Sequence, residues 1–198
     1  VAIETHAHFS LHQSGHLLFG ALAIDEQDDL ATATEHAYGL LLAHNHRLGF
    51  PHLLRVWNYF GDINAGDGDN ERYRQFCVGR ARVITQAPPE GFAAATAIGI
   101  PAPKDQLTLH WIAAANPGIP IENPRQVSAF EYPRDYGPVA PGFSRAMLLP
   151  GDAPVLLISG TASIVGHESQ HDDTCAQIDE ILANVEALVG AAEQRANA

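Results

Sequence analysis

The order of strand-like and helical segments constrains the fold more than any other feature of this sequence. Leu30–Leu48 and Asn70–Ile84 repeat apolar residues at helical spacing, and the run between them, Leu53–Phe60 (LLRVWNYF), is rich in residues that favour strands. Further short strand candidates are Val1–Phe9, His16–Ile24, Ala94–Ile100 and Leu107–Ala115. The order predicts an α+β fold, in which a mixed sheet is covered on one face by two helices.

Local signals predict where the two helices begin and end. Gly49 follows the last periodic residue of the first helix and is its expected stop. The second helix follows the Gly/Asp-rich segment Gly61–Asp69. We expect Asn70 or Asp69 as its N-cap, and we expect Asp67 and Asp69 to cap this helix. The loop resembles a cation-binding loop in composition only, because it lacks the regular ligand spacing of a calcium loop.

A proline-rich segment separates this first part from a second one. Residues 116–143 contain six prolines and little periodicity, and connections of this length are usually functional. After them, Arg145–Leu149 and Val155–Gly160 predict a hairpin, and Asp172–Val189 predicts an amphipathic helix. Its expected apolar face contains Ile178, Ile181, Leu182, Val185 and Leu188. A hairpin with one helix cannot bury a core, so we expect a longer natural chain, also because it starts at Val1.

Composition and charge limit the possible partners. The chain has 23 acidic and 11 basic side chains and a formal net charge of −12, which argues against nucleic acid and anionic membranes. No apolar run is long enough to span a bilayer. The two cysteines, Cys77 and Cys175, fit a reducing cytoplasm. All basic residues except Lys104 are arginines, whose side chain is suited to binding carboxylates through paired hydrogen bonds.

Four long sequence blocks resemble the chorismatase family. They are Arg55–Asp69 (RVWNYFGDINAGDGD), Glu71–Arg80 (ERYRQFCVGR), Glu122–Tyr136 (ENPRQVSAFEYPRDY) and Ser159–Ser169 (SGTASIVGHES). Members of this family are similar to two fused RidA-like (YjgF-like) domains. The resemblance therefore implies a first RidA-like unit at residues 1–116, a linking segment at 117–143 and the start of a second, incomplete unit at 144–198. RidA relatives are trimers, so a homo-oligomer is expected by analogy.

The first unit departs from the RidA pattern at its substrate site. RidA enzymes bind an imine with an arginine on the strand equivalent to Ala94–Ile100, which here has no arginine. The partner strand, Leu107–Ala115, holds His110 and no acid. We therefore expect that site to be lost, and the working pocket to lie by the linking segment and the second hairpin.

The resemblance implies an enzyme that cleaves the enolpyruvyl ether of chorismate into pyruvate and a ring acid. The ring product stays open between 3-hydroxybenzoate, 4-hydroxybenzoate and a dihydroxy-cyclohexadiene carboxylate. A carboxylic acid kept neutral by burial can protonate an enol ether, and Glu168 holds the position of the family's catalytic acid. The local sequence alone favours a surface carboxylate at a helix start instead. Protonation and water addition need no metal and no organic cofactor, so neither is expected.

Three arginines are the expected clamp for the two carboxylates of chorismate. Arg125, Arg134 and Arg145 fall within 21 positions, and Tyr132 and Tyr136 lie among them. Arg134 fits a structural ion pair equally well. Further predicted ligand contacts are Tyr59, for which core packing is an equal alternative, and the turn residues Thr161, Ala162 and Ser163.

Two other functions fit parts of the sequence. His167–His171 (HESQH) matches H-E-x-x-H, which on a helix places two histidines on one face to bind zinc, as in metallopeptidases. Gly166 and the β-type run before it argue against a helix there. The third reading is a non-catalytic RidA-like module that binds small acids, and Glu168 beside the arginine group argues against it.

Overall fold

The computed structural model describes residues 7–26, 29–84, 91–101 and 105–197, and a mixed five-stranded sheet forms its larger part. The strands are β1 (Ala7–Ser14), β2 (Leu17–Asp25), β3 (His52–Phe60), β4 (Ala94–Gly99) and β5 (Gln106–Ala114), in the order β1-β2-β5-β3-β4. β3 and β4 run parallel, and the other neighbouring pairs are antiparallel. Helices α1 (Leu30–Leu48) and α2 (Arg72–Ile84) complete this part. The predicted α+β class with a mixed sheet and two helices is confirmed.

The main core lies between the two helices and one face of this sheet. Strand residues of alternating position, among them Leu22, Val56 and Leu109, pack against Tyr38 of α1 and Phe76 of α2. These five side chains are at most 3% exposed. Because side chains alternate across a strand, the same pattern directs Trp57 and Tyr59 to the opposite face.

The ends of the helices agree with the predicted caps, except at the start of α2. Gly49 ends α1 in the left-handed conformation (φ 83°), as predicted, and the Asp29 carboxylate accepts a hydrogen bond from the Thr32 N–H at its start. The predicted capping of α2 by Asp67 and Asp69 is wrong. Gly68–Asn70 forms a separate 3-10 helix to which the Asp67 side chain gives no cap, and the Asp69 carboxylate is ion-paired with Arg134.

The two strands that were expected to pair, now labelled β4 and β5, are not neighbours in the sheet, because β3 lies between them. That prediction is wrong. Parallel strands need a crossover of a dozen or more residues. Helix α2 supplies that crossover between β3 and β4, so β4 becomes the edge of the sheet and β5 pairs with β2 and β3.

A smaller second part combines a three-stranded sheet, a two-stranded hairpin and one long helix. The sheet order is β6 (Ile119–Ile121), β7 (Ala146–Leu149), β8 (Val155–Ile158), and the hairpin consists of β9 (Ile164–Val165) and β10 (Glu168–Ser169). Helix α3 (Thr174–Ala196) is longer than predicted. Leu188 and Ala192 pack against Ile121, Ala146 and Leu148.

The predicted apolar face of α3 is only partly buried. Leu188 is fully buried, but Ile178 and Leu182 are 50% and 55% exposed. A sheet whose strands have three or four residues is too short to cover a helix of 23 residues. No described helix is both long and apolar enough to cross a membrane.

The second part docks on the edge strand of the first sheet. The Ser144 N–H donates to the Ala93 carbonyl and the Gly160 N–H to the Ala95 carbonyl, each over 3.2 Å, and the Ala95 N–H donates to the Ser159 hydroxyl over 2.9 Å. An edge strand offers such unpaired backbone groups. Within the predicted linking segment 117–143, β6 pairs with β7; the domain boundaries at 116 and 143 stay a prediction.

Candidate anion-binding site

A cavity of about 290 Å³ lies where α2, the edge strand β4 and the second part meet. Phe76, Cys77 and Arg80 of α2 line one side, and Phe143, Thr161 and Ala162 line the opposite side. The predicted location beside the linking segment and the second hairpin agrees with the second of these walls. The first wall, on α2, was not expected from the sequence.

Arg80 is the most unusual side chain of this cavity. It is 4% exposed, and its Nε and Nη2 atoms have no hydrogen-bond partner in the structure. No ion pair joins it to any carboxylate within the described ranges, and its guanidinium carbon lies 5.3 Å from the centre of the Tyr38 ring. A buried charge without a partner is costly in free energy. The Nε and Nη2 groups of Arg80 are therefore free to donate hydrogen bonds to the oxygens of an anion.

The remaining polar groups of the cavity are neutral or already bonded. The Asn58 amide accepts from the Tyr38 hydroxyl (2.7 Å) and donates to the Thr96 carbonyl (2.8 Å). Burial raises the pKa of the Cys77 thiol to about 11, so this thiol stays protonated at neutral pH and is a poor nucleophile. None of the described residues that line the cavity is an acid or a histidine. What the site offers is a positive group in otherwise neutral surroundings.

Arg145 lies just behind the second wall. It is 6% exposed, and its guanidinium carbon is 5.4 Å from the centre of the ring of Phe143, which lines the cavity. Its Nη2 donates to the Val127 carbonyl (2.7 Å) and to the Tyr132 hydroxyl (2.8 Å), and its Nε has no partner in the structure. The rings of Tyr132 and Tyr136 are 4.9 Å apart. The structure thus brings Arg145, Tyr132 and Tyr136 together.

The other two arginines of the predicted clamp are engaged elsewhere. Arg125 is paired with Glu180 and also donates to the Asn184 amide oxygen (3.0 Å). Arg134 is exposed and forms two hydrogen bonds with the Asp69 carboxylate. The structure therefore does not bring the three arginines together as a clamp, because two of the guanidinium groups bind protein carboxylates, and their role in substrate binding stays a prediction.

Of the remaining predicted ligand contacts, two line the cavity and two do not. Thr161 and Ala162 line the cavity. Ser163 does not, because its hydroxyl donates to the Gln170 carbonyl (2.6 Å). Tyr59 does not line this cavity: it faces the side of the sheet away from α2, with its ring 5.7 Å from that of His110, and its ligand contact stays a prediction.

Glu168 lies outside the cavity and its side chain is exposed. The expected water-poor surroundings of this carboxyl are therefore wrong. Glu168 belongs to the short hairpin of β9 and β10, where it pairs with Val165, and a two-stranded hairpin buries little on its own. The physical reason for assigning Glu168 as a buried proton donor is missing in this arrangement.

The predicted zinc site in the same segment requires a helix, which the structure does not contain there. Residues 168 and 169 are extended, so His167 and His171 do not share a helical face. The Tyr136 hydroxyl bonds to the backbone carbonyl of His167, and the His171 ring lies 3.3 Å from the Glu180 carboxylate. Across the described ranges, no group of three His, Cys, Asp or Glu side chains is placed to hold a metal.

Arg80 is the site residue that the sequence analysis missed, although a signal for it exists. Tyr73, Phe76, Cys77 and Arg80 follow one another at helical spacing, and all four line the cavity. An arginine in line with three residues that face a core is expected either to pair with an acid or to meet a ligand. That choice depends on which acids are near in space, and the sequence does not show it.

The fold and the cavity define a class: an α+β protein with a cavity lined by a buried arginine, formed where two structural parts meet. The family model described as chorismatase FkbO/Hyg5-like, N-terminal, matches residues 1–113, and the chain belongs to this family.

Relatives of known name agree with this membership. The chain is 39% identical over 180 residues to a chorismatase from Streptomyces rapamycinicus, covering 88% of this chain and 54% of that protein. It is 36% identical over 195 residues to a 3-hydroxybenzoate synthase from Streptomyces hygroscopicus, covering 93% and 55%. A crystal structure of a chorismatase matches with a TM-score of 0.83 at 35% identity, covering 91% of this chain and 56% of that one. The chain spans about half the length of these relatives.

Proposed function

We propose that this chain provides the carboxylate-binding part of an enzyme that cleaves the enolpyruvyl ether of chorismate into pyruvate and a hydroxybenzoate. The observation that carries the proposal is Arg80, a buried guanidinium with two free N–H groups in a cavity whose lining is otherwise neutral. Chorismate brings two carboxylates, and one of them satisfies this group. The names of the relatives, chorismatase and 3-hydroxybenzoate synthase, support chorismate as the substrate and a hydroxybenzoate as the ring product.

Arg145 is the proposed partner for the second carboxylate, which requires the Phe143 ring between it and the cavity to move when the substrate binds. Its Nε is buried without a partner in the structure, and the Tyr132 hydroxyl and the Phe143 ring hold its guanidinium group. Two fixed cations bind a dianion in one orientation, and such positioning lowers the barrier of the reaction that follows. These residues bind and orient the substrate. The described lining contains no carboxylic acid, so we assign none of its residues as the proton donor.

We infer a cytoplasmic protein, because the structure contains two free cysteines, Cys77 and Cys175. We also infer a homo-oligomer, with a trimer as the form suggested by analogy with RidA relatives. Light scattering on the full-length protein measures its mass directly, and a monomer would contradict this second inference.

The decisive experiment compares Arg80→Met with Arg82→Met in the full-length protein, with pyruvate release from chorismate as the assay. Arg82 lies on the same helix but is exposed and paired with Glu35 over 3.0 Å. Two lost charge-assisted hydrogen bonds, each worth about 1.5–3 kcal/mol, lower kcat/KM roughly 10²- to 10⁴-fold in Arg80→Met. Arg82→Met stays within about twofold of the wild type, because exposed ion pairs contribute little.

Stability separates a binding role of Arg80 from a structural one. A buried charge left without a partner destabilises the free protein, so Arg80→Met melts at or above the wild-type temperature when no ligand is present. A structural arginine shows the opposite, a lower melting temperature. Turnover by Arg80→Met that equals that of Arg82→Met would reject the proposal.

A further inference from the structure

Asn184 is a fully buried polar side chain of α3 and lies outside the cavity. Its amide nitrogen donates to two backbone carbonyls, those of Ala162 (3.1 Å) and Ile164 (2.9 Å). Its amide oxygen accepts from Nη1 of Arg125 (3.0 Å). Each donor and acceptor of this amide is used, as the burial of a polar group requires.

The segment that Asn184 holds is one wall of the cavity. Thr161 and Ala162 face the ligand space, and Ile164 begins strand β9. The segment has further bonds: the Ile164 N–H donates to the Ala162 carbonyl, the Gln126 amide donates to the Ile164 carbonyl, and Ser163 and Gln170 are hydrogen-bonded to each other. Ile164 pairs with Ser169 of β10. Thr161 and Ala162 lie outside any strand, so their position depends on the groups that bind the Ala162 carbonyl.

Arg125 determines which way the Asn184 amide points. A guanidinium group only donates, so it binds the amide oxygen and leaves the amide nitrogen facing the two carbonyls. Arg125 is itself held by Glu180, which also accepts from the ring of His171. The predicted ligand contact of Arg125 is thereby replaced by an indirect path to the same cavity.

We propose that Asn184, oriented by Arg125, is a positioning residue that fixes the Thr161–Ala162 wall at the place the substrate ring requires. The expected effect of Asn184 on turnover rests on the proposed function. Its effect on the wall itself does not depend on that function. Loss of Asn184 leaves Arg80 and Arg145 in place but loosens the surface opposite Arg80, which weakens substrate binding more than it slows the bound complex.

The test uses Asn184→Leu, with Asn45→Leu as the matched control, both in the full-length protein. Asn45 is also fully buried in a helix, where its amide oxygen accepts from the Trp111 indole (3.0 Å). It lies outside the cavity lining. Both changes remove a buried amide, so both lower the melting temperature. We expect the KM for chorismate to rise about tenfold or more in Asn184→Leu, with kcat within about threefold, and to stay within about twofold in Asn45→Leu.

Hydrogen exchange provides the readout that is independent of catalysis. The amides of Ile164 and Gly166 should exchange at least about tenfold faster in Asn184→Leu than in the wild type, and remain protected in Asn45→Leu. Arg125→Met, which keeps the Asn184 side chain, gives a smaller change in the same direction and serves if Asn184→Leu does not fold. Equal KM values for Asn184→Leu and Asn45→Leu, or unchanged exchange at these two amides, overturn the proposal. If the wild type releases no pyruvate, the proposed function has failed, and exchange alone decides the role of Asn184.

Discussion

Helices α2 and α3 serve the same cavity in opposite ways. Helix α2 lines it directly and leaves the Nε and Nη2 atoms of Arg80 without partners. Helix α3 supports the opposite wall through Asn184, whose amide is fully hydrogen-bonded, and exposes much of its own apolar surface at Ile178 and Leu182. The side chain proposed to bind the ligand has unpaired hydrogen-bond donors in the free protein. The side chain proposed to support the site has all its hydrogen bonds made within the protein. The following predictions test that contrast.

The largest effect is expected from Gly79→Ala in α2. A Cβ atom at Gly79 would lie 2.1 Å from the Ala31 carbonyl oxygen of α1. This oxygen belongs to the backbone, so no side-chain rotation relieves the clash. The two helices must separate, and we expect a loss of about 3 kcal/mol in the free energy of unfolding, or a protein that does not fold. Because Arg80 is the next residue, any folded fraction also loses chorismate turnover. Urea unfolding measures the first effect, and pyruvate release measures the second.

Gly190→Ala in α3 is the matched control for this prediction. A Cβ atom at Gly190 meets nothing within 4 Å. Alanine is the better helix former, so the same substitution should raise the free energy of unfolding by about 0.5–1 kcal/mol. A similar loss of stability for both variants would show that α2 is packed no more tightly than α3.

The second prediction compares two leucines of α3. Leu188 is fully buried against the three-stranded sheet, whereas Leu182 is 55% exposed. Leu188→Ala should cost about 2–5 kcal/mol in the free energy of unfolding, and Leu182→Ala about 1 kcal/mol or less. The substitution changes helix propensity by the same amount in both variants, so the difference between them reports burial. A large loss for Leu182→Ala would mean that another surface covers this face of α3 in solution.

These leucines also show how far the sequence could take the fold. Periodicity and Gly49 located α1 residue for residue, because a long helix that buries one face carries the signal along its whole length. The same periodicity in α3 marked an apolar stripe but could not show that the adjoining sheet is too short to cover it. Nor could the sequence place β3 between β4 and β5, because strand order depends on packing between distant segments.

The candidate site was predictable to a similar extent. Arg145, Tyr132 and Tyr136 lie together, and Thr161 and Ala162 line the cavity, because proximity along the chain kept these groups close. Arg125 and Arg134 look the same as Arg145 in the sequence. What separates them is the presence of Glu180 and Asp69 in space, each contributed by a distant segment.

The smallest effect is expected from Glu168→Gln. If Glu168 protonated the enol ether, as the family resemblance implies, this change would abolish pyruvate release. In the structure this side chain is exposed on a two-stranded hairpin outside the cavity, and burial is the means by which a protein keeps such an acid neutral. We therefore expect kcat and KM for chorismate within about twofold of the wild type, in the assay used for Arg80→Met. A loss of kcat beyond about 100-fold, with the melting temperature unchanged, would restore Glu168 as the proton donor. It would also require the hairpin to close over the cavity when substrate binds, so that the contrast between α2 and α3 holds only for the free protein.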